Sequence, residues 1–158
     1  MKSILLTVLL ALLSTATTSA QKEQDFASRF MALCGDSTSL VCTTISPSMT
    51  EQMLSLPSVE ENEQVKEVLS QLKSIRMAIN EDESETDQLF DQAVALARKN
   101  VRRYKAQIEE ETKKLYVRER NELVIEMVLL MKQENIFYLI DLTGNMTEDF
   151  LEQVLQIQ

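Results

Sequence analysis

The sequence contains no histidine and no tryptophan, and it has only two glycines, Gly35 and Gly144. Without histidine the chain cannot build a Ser-His-Asp or Cys-His catalytic system, or a zinc or copper site with histidine ligands. Two isolated glycines cannot form a glycine-rich phosphate-binding loop. Tryptophan, the usual residue for stacking on sugar rings, is also absent. We therefore predict a protein that is not an enzyme and that needs no cofactor or metal.

Positive charge is also scarce, because the chain has 25 acidic and 16 basic residues and a formal net charge of −9. Such a chain repels phosphate backbones and anionic membrane surfaces, so we expect no nucleic-acid partner. One basic cluster follows an acidic segment within a predicted helix. That order matches the helix dipole, which favours a solvated helix face over a nucleic-acid site. The cluster consists of Arg98, Lys99, Arg102 and Arg103.

The first twenty residues have the pattern of a secretory signal peptide. Lys2 precedes an apolar run from Ile4 to Leu13, and small residues follow up to Ala20. The run is about half as long as a membrane-spanning helix requires. We predict cleavage near Ala20 and export to the periplasm or the extracellular space. The mature chain, residues 21–158, has the length of one domain and no apolar segment that could span a membrane as a helix.

The mature chain has two cysteines, Cys34 and Cys42. A pair of cysteines in an exported protein suggests one disulfide, and the polar residues after Gly35 can turn the chain back between them. The alternative is two small buried thiols. The spacing excludes a redox motif of the C-x-x-C type.

Apolar periodicity predicts several helices and strands before the C-terminal segment. The strongest helix pattern runs from Thr86 to Tyr104, where an apolar stripe continues over the whole segment. The other predicted helices are Gln24 to Cys34, Met49 to Leu54, Glu60 to Leu72 and Thr147 to Gln156. The predicted strands are Leu40 to Ile45, Ser74 to Ile79 and Lys105 to Glu110.

The segment from Leu115 to Leu142 organises the rest of the chain. It has three runs rich in Val, Ile, Leu, Tyr and Phe, separated by two short polar breaks. This pattern is typical of consecutive antiparallel strands. We predict an α+β fold in which an antiparallel sheet, formed mainly by this C-terminal strand meander, packs against amphipathic helices. A turn is expected at Gly144 and Asn145.

Charged residues interrupt the apolar meander. If the last hairpin turns at Lys132 to Asn135, Glu126 faces Asp141 directly, and matching the apolar rows of the preceding hairpin places Arg118 beside Glu126. The simplest interpretation of Arg118, Glu126 and Asp141 is a charged cross-strand row on the more exposed sheet face. A hard-cation site is an alternative, but two carboxylates supply too few ligands for a calcium cage. A glycosidase-like acid pair would normally stand further apart.

The middle strand of the meander, around Leu123 to Met131, is apolar on both faces. Such a strand is either covered twice or offers one face to a partner. We favour coverage of both faces by helices.

The order of elements gives one further indication. The strand that ends in Ile140 to Asn145 precedes a short terminal helix, and Tyr104 follows an acidic-to-basic helix. In these features the chain resembles the secreted bacterial family called domain of unknown function 4252. The resemblance implies a small exported α+β domain of Gram-negative bacteria, and it brings no catalytic residues. Some members resemble lipoproteins, but this chain lacks the cysteine that lipid attachment requires.

The expected function is that of a non-enzymatic envelope or secreted binding module, with a protein or envelope component as its partner. One alternative is an accessory of an extracytoplasmic signalling or envelope-stress system, which the secreted character of the family permits. The other is a carboxylate-dependent hydrolase that uses Glu126 and Asp141.

Overall fold

The computed structural model describes residues 24–156, apart from the side chains of residues 37, 154 and 156. The predicted signal peptide lies outside the described residues. Six α-helices are present within this range, together with short 3-10 turns at Gly35–Ser37 and Glu83–Glu85. The helices are α1 (Phe26–Cys34), α2 (Pro47–Leu54), α3 (Pro57–Glu60), α4 (Glu63–Gln71), α5 (Thr86–Lys99) and α6 (Glu148–Gln156).

Six strands form one antiparallel sheet, in the order β1-β2-β6-β5-β4-β3. The C-terminal meander β4-β5-β6 supplies its centre, so the predicted α+β architecture is confirmed. The strands are β1 (Leu40–Ile45), β2 (Leu72–Asn80), β3 (Lys105–Glu109), β4 (Lys113–Arg120), β5 (Leu123–Gln133) and β6 (Ile136–Met146).

Two-residue turns with a left-handed backbone connect the three strands of the meander. Asn121 and Glu122 join β4 to β5, and Glu134 and Asn135 join β5 to β6, all with φ between 50° and 65°. Turns of this kind match the twist of paired strands, and asparagine tolerates the left-handed region better than most residues.

The position of the second turn corrects the predicted register of the last hairpin. Because the turn lies at Glu134 and Asn135, the preceding Lys132 and Gln133 continue β5, and the pairing moves by two residues. Glu126 therefore pairs with Thr143, and Asp141 pairs with Val128. In the preceding hairpin Arg118 pairs with Glu126, as the apolar rows predicted. A two-residue turn at Asn121 and Glu122 and a register shift between Arg118 and Glu119 produce that pairing.

The predicted turn at Gly144 and Asn145 is wrong, because β6 continues to Met146. Gly144 pairs with Leu72 at the start of β2. A Cβ atom at Gly144 would lie 2.0 Å from the carbonyl oxygen of Gln71, the last residue of α4. Glycine is therefore needed here because two backbones approach closely, and not because the chain turns.

The helix predicted from Thr86 to Tyr104 is also shorter than expected. It ends at Lys99, where Asn100 adopts a non-helical conformation and closes the last turn onto the carbonyl of Ala97. Arg102 and Arg103 consequently lie beyond the helix, and Tyr104 leads into β3.

Helices α1 and α5 cover one face of the sheet and enclose an aromatic core. Phe26 meets Tyr104 edge to face at 5.6 Å between ring centroids, and Phe30 and Phe90 both pack against Phe137 of β6. A smaller core lies on the opposite face, where α6 packs on the ends of the central strands. Its buried members are Leu72, Leu115, Val117, Val124, Met127, Met146, Phe150 and Leu151.

Candidate functional site

Two carboxylates from the centre of the sheet hold the N-terminus of α1. The amide of Phe26 donates to Oε1 of Glu126 at 2.5 Å, and the amide of Ala27 donates to Oδ2 of Asp141 at 2.7 Å. The first amides of a helix have no partner within the helix and carry partial positive charge. The two carboxylates satisfy these amides and attach α1 to β5 and β6.

Glu126 is fully engaged by further donors. Its Oε2 accepts hydrogen bonds from the Tyr104 hydroxyl at 2.9 Å and from Nε of Arg118 at 2.7 Å. Arg29 in turn donates to the Tyr104 hydroxyl. Burial and the neighbouring negative charge of Glu126 raise the pKa of Tyr104, which therefore stays protonated and acts as a donor. Glu126 and Arg118 thus form a buried, hydrogen-bonded ion pair.

Asp141 has a different environment, although it stands on the same sheet face. Its Oδ2 accepts the Ala27 amide, whereas its Oδ1 has no hydrogen-bond partner among the described residues. Burial, together with the negative charge of Glu126, raises the pKa of Asp141 to about 8. Asp141 is therefore mostly protonated at neutral pH, and Glu126 is the carboxylate of the two that contacts the guanidinium group of Arg118.

The predicted exposure of this charged row is wrong. Glu126 is 0% exposed and Asp141 is 1% exposed, because α1 covers the face on which they stand. The strands there are apolar on both faces, so their periodicity does not indicate which face receives a helix. The buried position favours a structural role for both carboxylates. Within residues 24–156 no three acidic or cysteine side chains come together as a possible metal site.

The opposite sheet face is only partly covered, so the prediction that helices cover both faces is wrong for this part of the sheet. Apolar residues from four adjacent strands stand side by side there, in two rows set by the strand register. Val41 is 49% exposed and Met77 is 38% exposed, and the others are half-buried. We call this surface the open face. Its apolar members are Val41, Met77, Ile79, Leu129, Met131, Tyr138 and Ile140.

The open face reaches β1, the strand at one edge of the sheet. No other described strand pairs with the outer side of β1, which has no charged residue and an unbroken register against β2. The other edge strand, β3, has a register shift between Ala106 and Ile108 and carries two ion pairs. These join Lys105 to Glu119 and Glu109 to Arg98. Charges and bulges protect edge strands from pairing with other chains, so β3 is protected and β1 is not.

The two cysteines lie at the margin of the aromatic core. Both are half-buried. Burial, and then the negative charge of Glu85, raises the pKa of the Cys34 thiol, so Cys34 is mostly protonated at neutral pH. The disulfide between Cys34 and Cys42 stays a prediction.

The structure defines a small α+β domain, a six-stranded antiparallel sheet with one face covered by α1 and α5 and the other face partly covered by α6 and partly open. None of its helices, in the range from residue 24 to residue 156, is long and apolar enough to cross a membrane. The family model for the domain of unknown function DUF4252 matches residues 38–154. The chain belongs to this family, as its resemblance predicted.

Comparisons with individual curated proteins and solved structures give no further information on the function of this chain. None of the curated proteins is significantly similar to this chain. Among solved structures, a protein of unknown function from Pseudomonas aeruginosa is similar over 78% of this chain and 84% of its own, with 14% sequence identity and a TM-score of 0.31. A similarity this low supports no conclusion about the chain.

Proposed function

We propose that this protein is an exported, non-enzymatic binding module whose open face receives a partner polypeptide. The observation that carries the proposal is the open face, whose apolar residues lie on four strands and extend to the unprotected edge strand β1. Contiguous exposed apolar surface on a domain marks sites of protein interaction. An extended segment of a partner can pair with β1 through backbone hydrogen bonds and cover the neighbouring apolar side chains.

The chemistry of the buried carboxylates supports the non-enzymatic part of the proposal. The carboxylate oxygens of Glu126 accept hydrogen bonds from Phe26, Tyr104 and Arg118, and α1 separates Glu126 from solvent. A hydrolase would need its acid and base within hydrogen-bonding reach of a substrate. The hydrolase alternative therefore has no geometric support here, and no contact favours the signalling alternative over other binding roles.

Site-specific crosslinking in cells tests the proposal. A photo-reactive residue at Met77, on the open face, is compared with one at Val101, an apolar residue that is 68% exposed on the other side of the molecule. We expect Met77 to crosslink reproducibly to one partner, and Val101 to give no such product. The same product should disappear when Val41→Glu places a charge on the open face, diagonally across β1 and β2 from the probe.

The outcomes separate the possible occupants. A product of twice the chain mass identifies a second copy of this protein, and any other mass identifies a different polypeptide. Equal crosslinking from Met77 and Val101, or a product that survives Val41→Glu, would contradict a specific site on the open face. Enzymatic activity that is lost in a Glu126→Gln/Asp141→Asn variant that still folds would overturn the non-enzymatic proposal.

A further inference from the structure

A polar cleft of about 490 Å³ lies at the end of the sheet where β1, β4 and β6 finish and β2 and β5 begin. We call it the basic cleft. Four cationic side chains and a single carboxylate line it, whereas the whole chain has more acidic than basic residues. Positive charge is thus concentrated at one place in an acidic protein. The cations are Lys73, Arg76, Arg118 and Arg120, and the carboxylate is Asp25.

Carboxylates pair with two of these arginines, the buried Glu126 with Arg118 and the cleft residue Asp25 with Arg76. Arg118 contacts the buried Glu126 through Nε at 2.7 Å, and Arg76 contacts Asp25 through Nε at 3.2 Å. Arg76 also donates from Nη1 to the Ser28 hydroxyl at 2.7 Å. A guanidinium group that is already oriented loses less conformational freedom when it binds an anion.

Neutral polar side chains line the cleft together with the cations. Ser74 and Thr143 face each other across β2 and β6 with their hydroxyl oxygens 2.6 Å apart, and Thr44, Ser46 and Asn145 complete the neutral polar lining. Hydroxyl and amide groups next to guanidinium groups recognise carboxylate, phosphate and sulfate. A volume of about 490 Å³ falls in the range of small-molecule sites.

A second cleft of about 370 Å³ continues the positive surface. It shares Arg118 and Arg120 with the basic cleft and adds Arg102 and Arg103, together with one carboxylate, Glu119. Arg103 donates to the backbone carbonyl of Gln24, just before α1. Arginines grouped in this way raise the local potential and attract anions from solution.

We propose that the basic cleft binds a compact organic polyanion, a small molecule with two or more carboxylate, phosphate or sulfate groups. A long polyanion is disfavoured, since the net charge of −9 would repel the parts that extend beyond the cleft. The cleft and the open face are separate surfaces, so this proposal does not depend on the proposed function.

Isothermal titration of the mature protein with citrate and with pyrophosphate tests the proposal. The test variant is Lys73→Gln/Arg120→Gln, because both side chains line the cleft and are exposed. The matched control is Lys66→Gln/Lys99→Gln, which removes the same charge from exposed positions outside the cleft. Circular dichroism verifies that each variant is folded.

We expect saturable binding of at least one probe, and a loss of about tenfold or more in affinity for the test variant, because two charge-assisted contacts are removed. The control should bind within about twofold of the unmodified protein, since long-range charge effects are screened. Tighter binding of citrate indicates a carboxylate ligand, and tighter binding of pyrophosphate a phosphorylated one. Absence of binding to both probes, or equal losses in the two variants, would overturn the proposal.

Discussion

Two substitutions that each remove one buried carboxylate should have different effects on stability, and opposite effects at high pH. Glu126→Gln replaces a carboxylate that accepts hydrogen bonds at both oxygens with an amide that can accept at only one. Either the Phe26 amide or the Tyr104 and Arg118 donors then face an NH2 group, and Arg118 loses its counter-charge. Breaking a buried ion pair on one side costs about 3–5 kcal/mol. That is a large part of the stability of a domain this size.

Asp141→Asn should be tolerated, because the protonated carboxyl of Asp141 and an asparagine amide are nearly isosteric. The amide oxygen can still accept the Ala27 N–H, and the NH2 group takes the position of the Oδ1 that has no partner among the described residues. The pKa of Asp141 in the folded protein, about 8, lies above its unfolded value of 3.8. Protonation of Asp141 therefore favours the folded state at low pH. This contribution to the free energy of unfolding is lost as the pH rises towards 8.

Urea denaturation followed by circular dichroism at pH 5, 7 and 9 measures both effects. Between pH 5 and 8 the unmodified protein should lose stability relative to Asp141→Asn, by up to about 1.4 kcal/mol per pH unit. Asp141→Asn should match the unmodified protein most closely at pH 5 and exceed it at pH 9, whereas Glu126→Gln should be destabilised at all three. If Asp141→Asn is the more damaging change at pH 9, the raised pKa assigned to Asp141 is wrong.

Three further predictions concern the chain outside this pair. Gly144→Ala should lower the free energy of unfolding by about 2 kcal/mol or more, because the added methyl group meets a backbone carbonyl. Gly35→Ala should lower it by about 1 kcal/mol, because the backbone of Gly35 has a positive φ, although a Cβ atom there meets nothing within 4 Å. Equal urea midpoints for the two variants would contradict this. The exported protein should begin at Gln21, and a mass that retains the first twenty residues would contradict cleavage near Ala20. Intact mass before and after reduction should differ by two hydrogens if Cys34 and Cys42 are bonded, and equal masses would exclude the disulfide.

Local patterns predicted most of the elements. Strand β1 begins at Leu40 and ends at Ile45, as its β-rich composition predicted, and Thr147 caps the final helix through the amide of Phe150. The pairing of Arg118 with Glu126 followed from matching apolar rows. These features depend on residues that are close in sequence or lie on adjacent strands. The periodicity of apolar residues is sufficient to predict such features.

Contacts between distant segments were not predictable in the same way. The hydrogen bond from Phe26 to Glu126 joins residues 100 positions apart, and no local pattern indicates that α1 docks on that sheet face. The close approach that requires Gly144 also depends on where α4 ends in space. The available signal in the sequence is a glycine at the end of an apolar strand, and it predicts a turn because glycine is common in turns.

The basic cleft illustrates the same limit. Its cations come from the beginning of β2 and the end of β4, which are separated in sequence by α5 and β3. In the sequence the most visible basic cluster is the one around Arg98 and Lys99, which follows the dipole of α5. The sheet topology brings the other cations together, so charge counting along the chain did not reveal them.

Hydrogen exchange of β1, measured in the free protein and in its complex with the partner captured from Met77, tests the account most directly. If a partner strand pairs with this edge, the outward-facing amides between Leu40 and Ile45 should exchange much more slowly in the complex, while the edge strand β3 should be unchanged. Unchanged exchange in β1, with new protection elsewhere on the surface, would contradict the assignment of the open face and its edge as the binding surface.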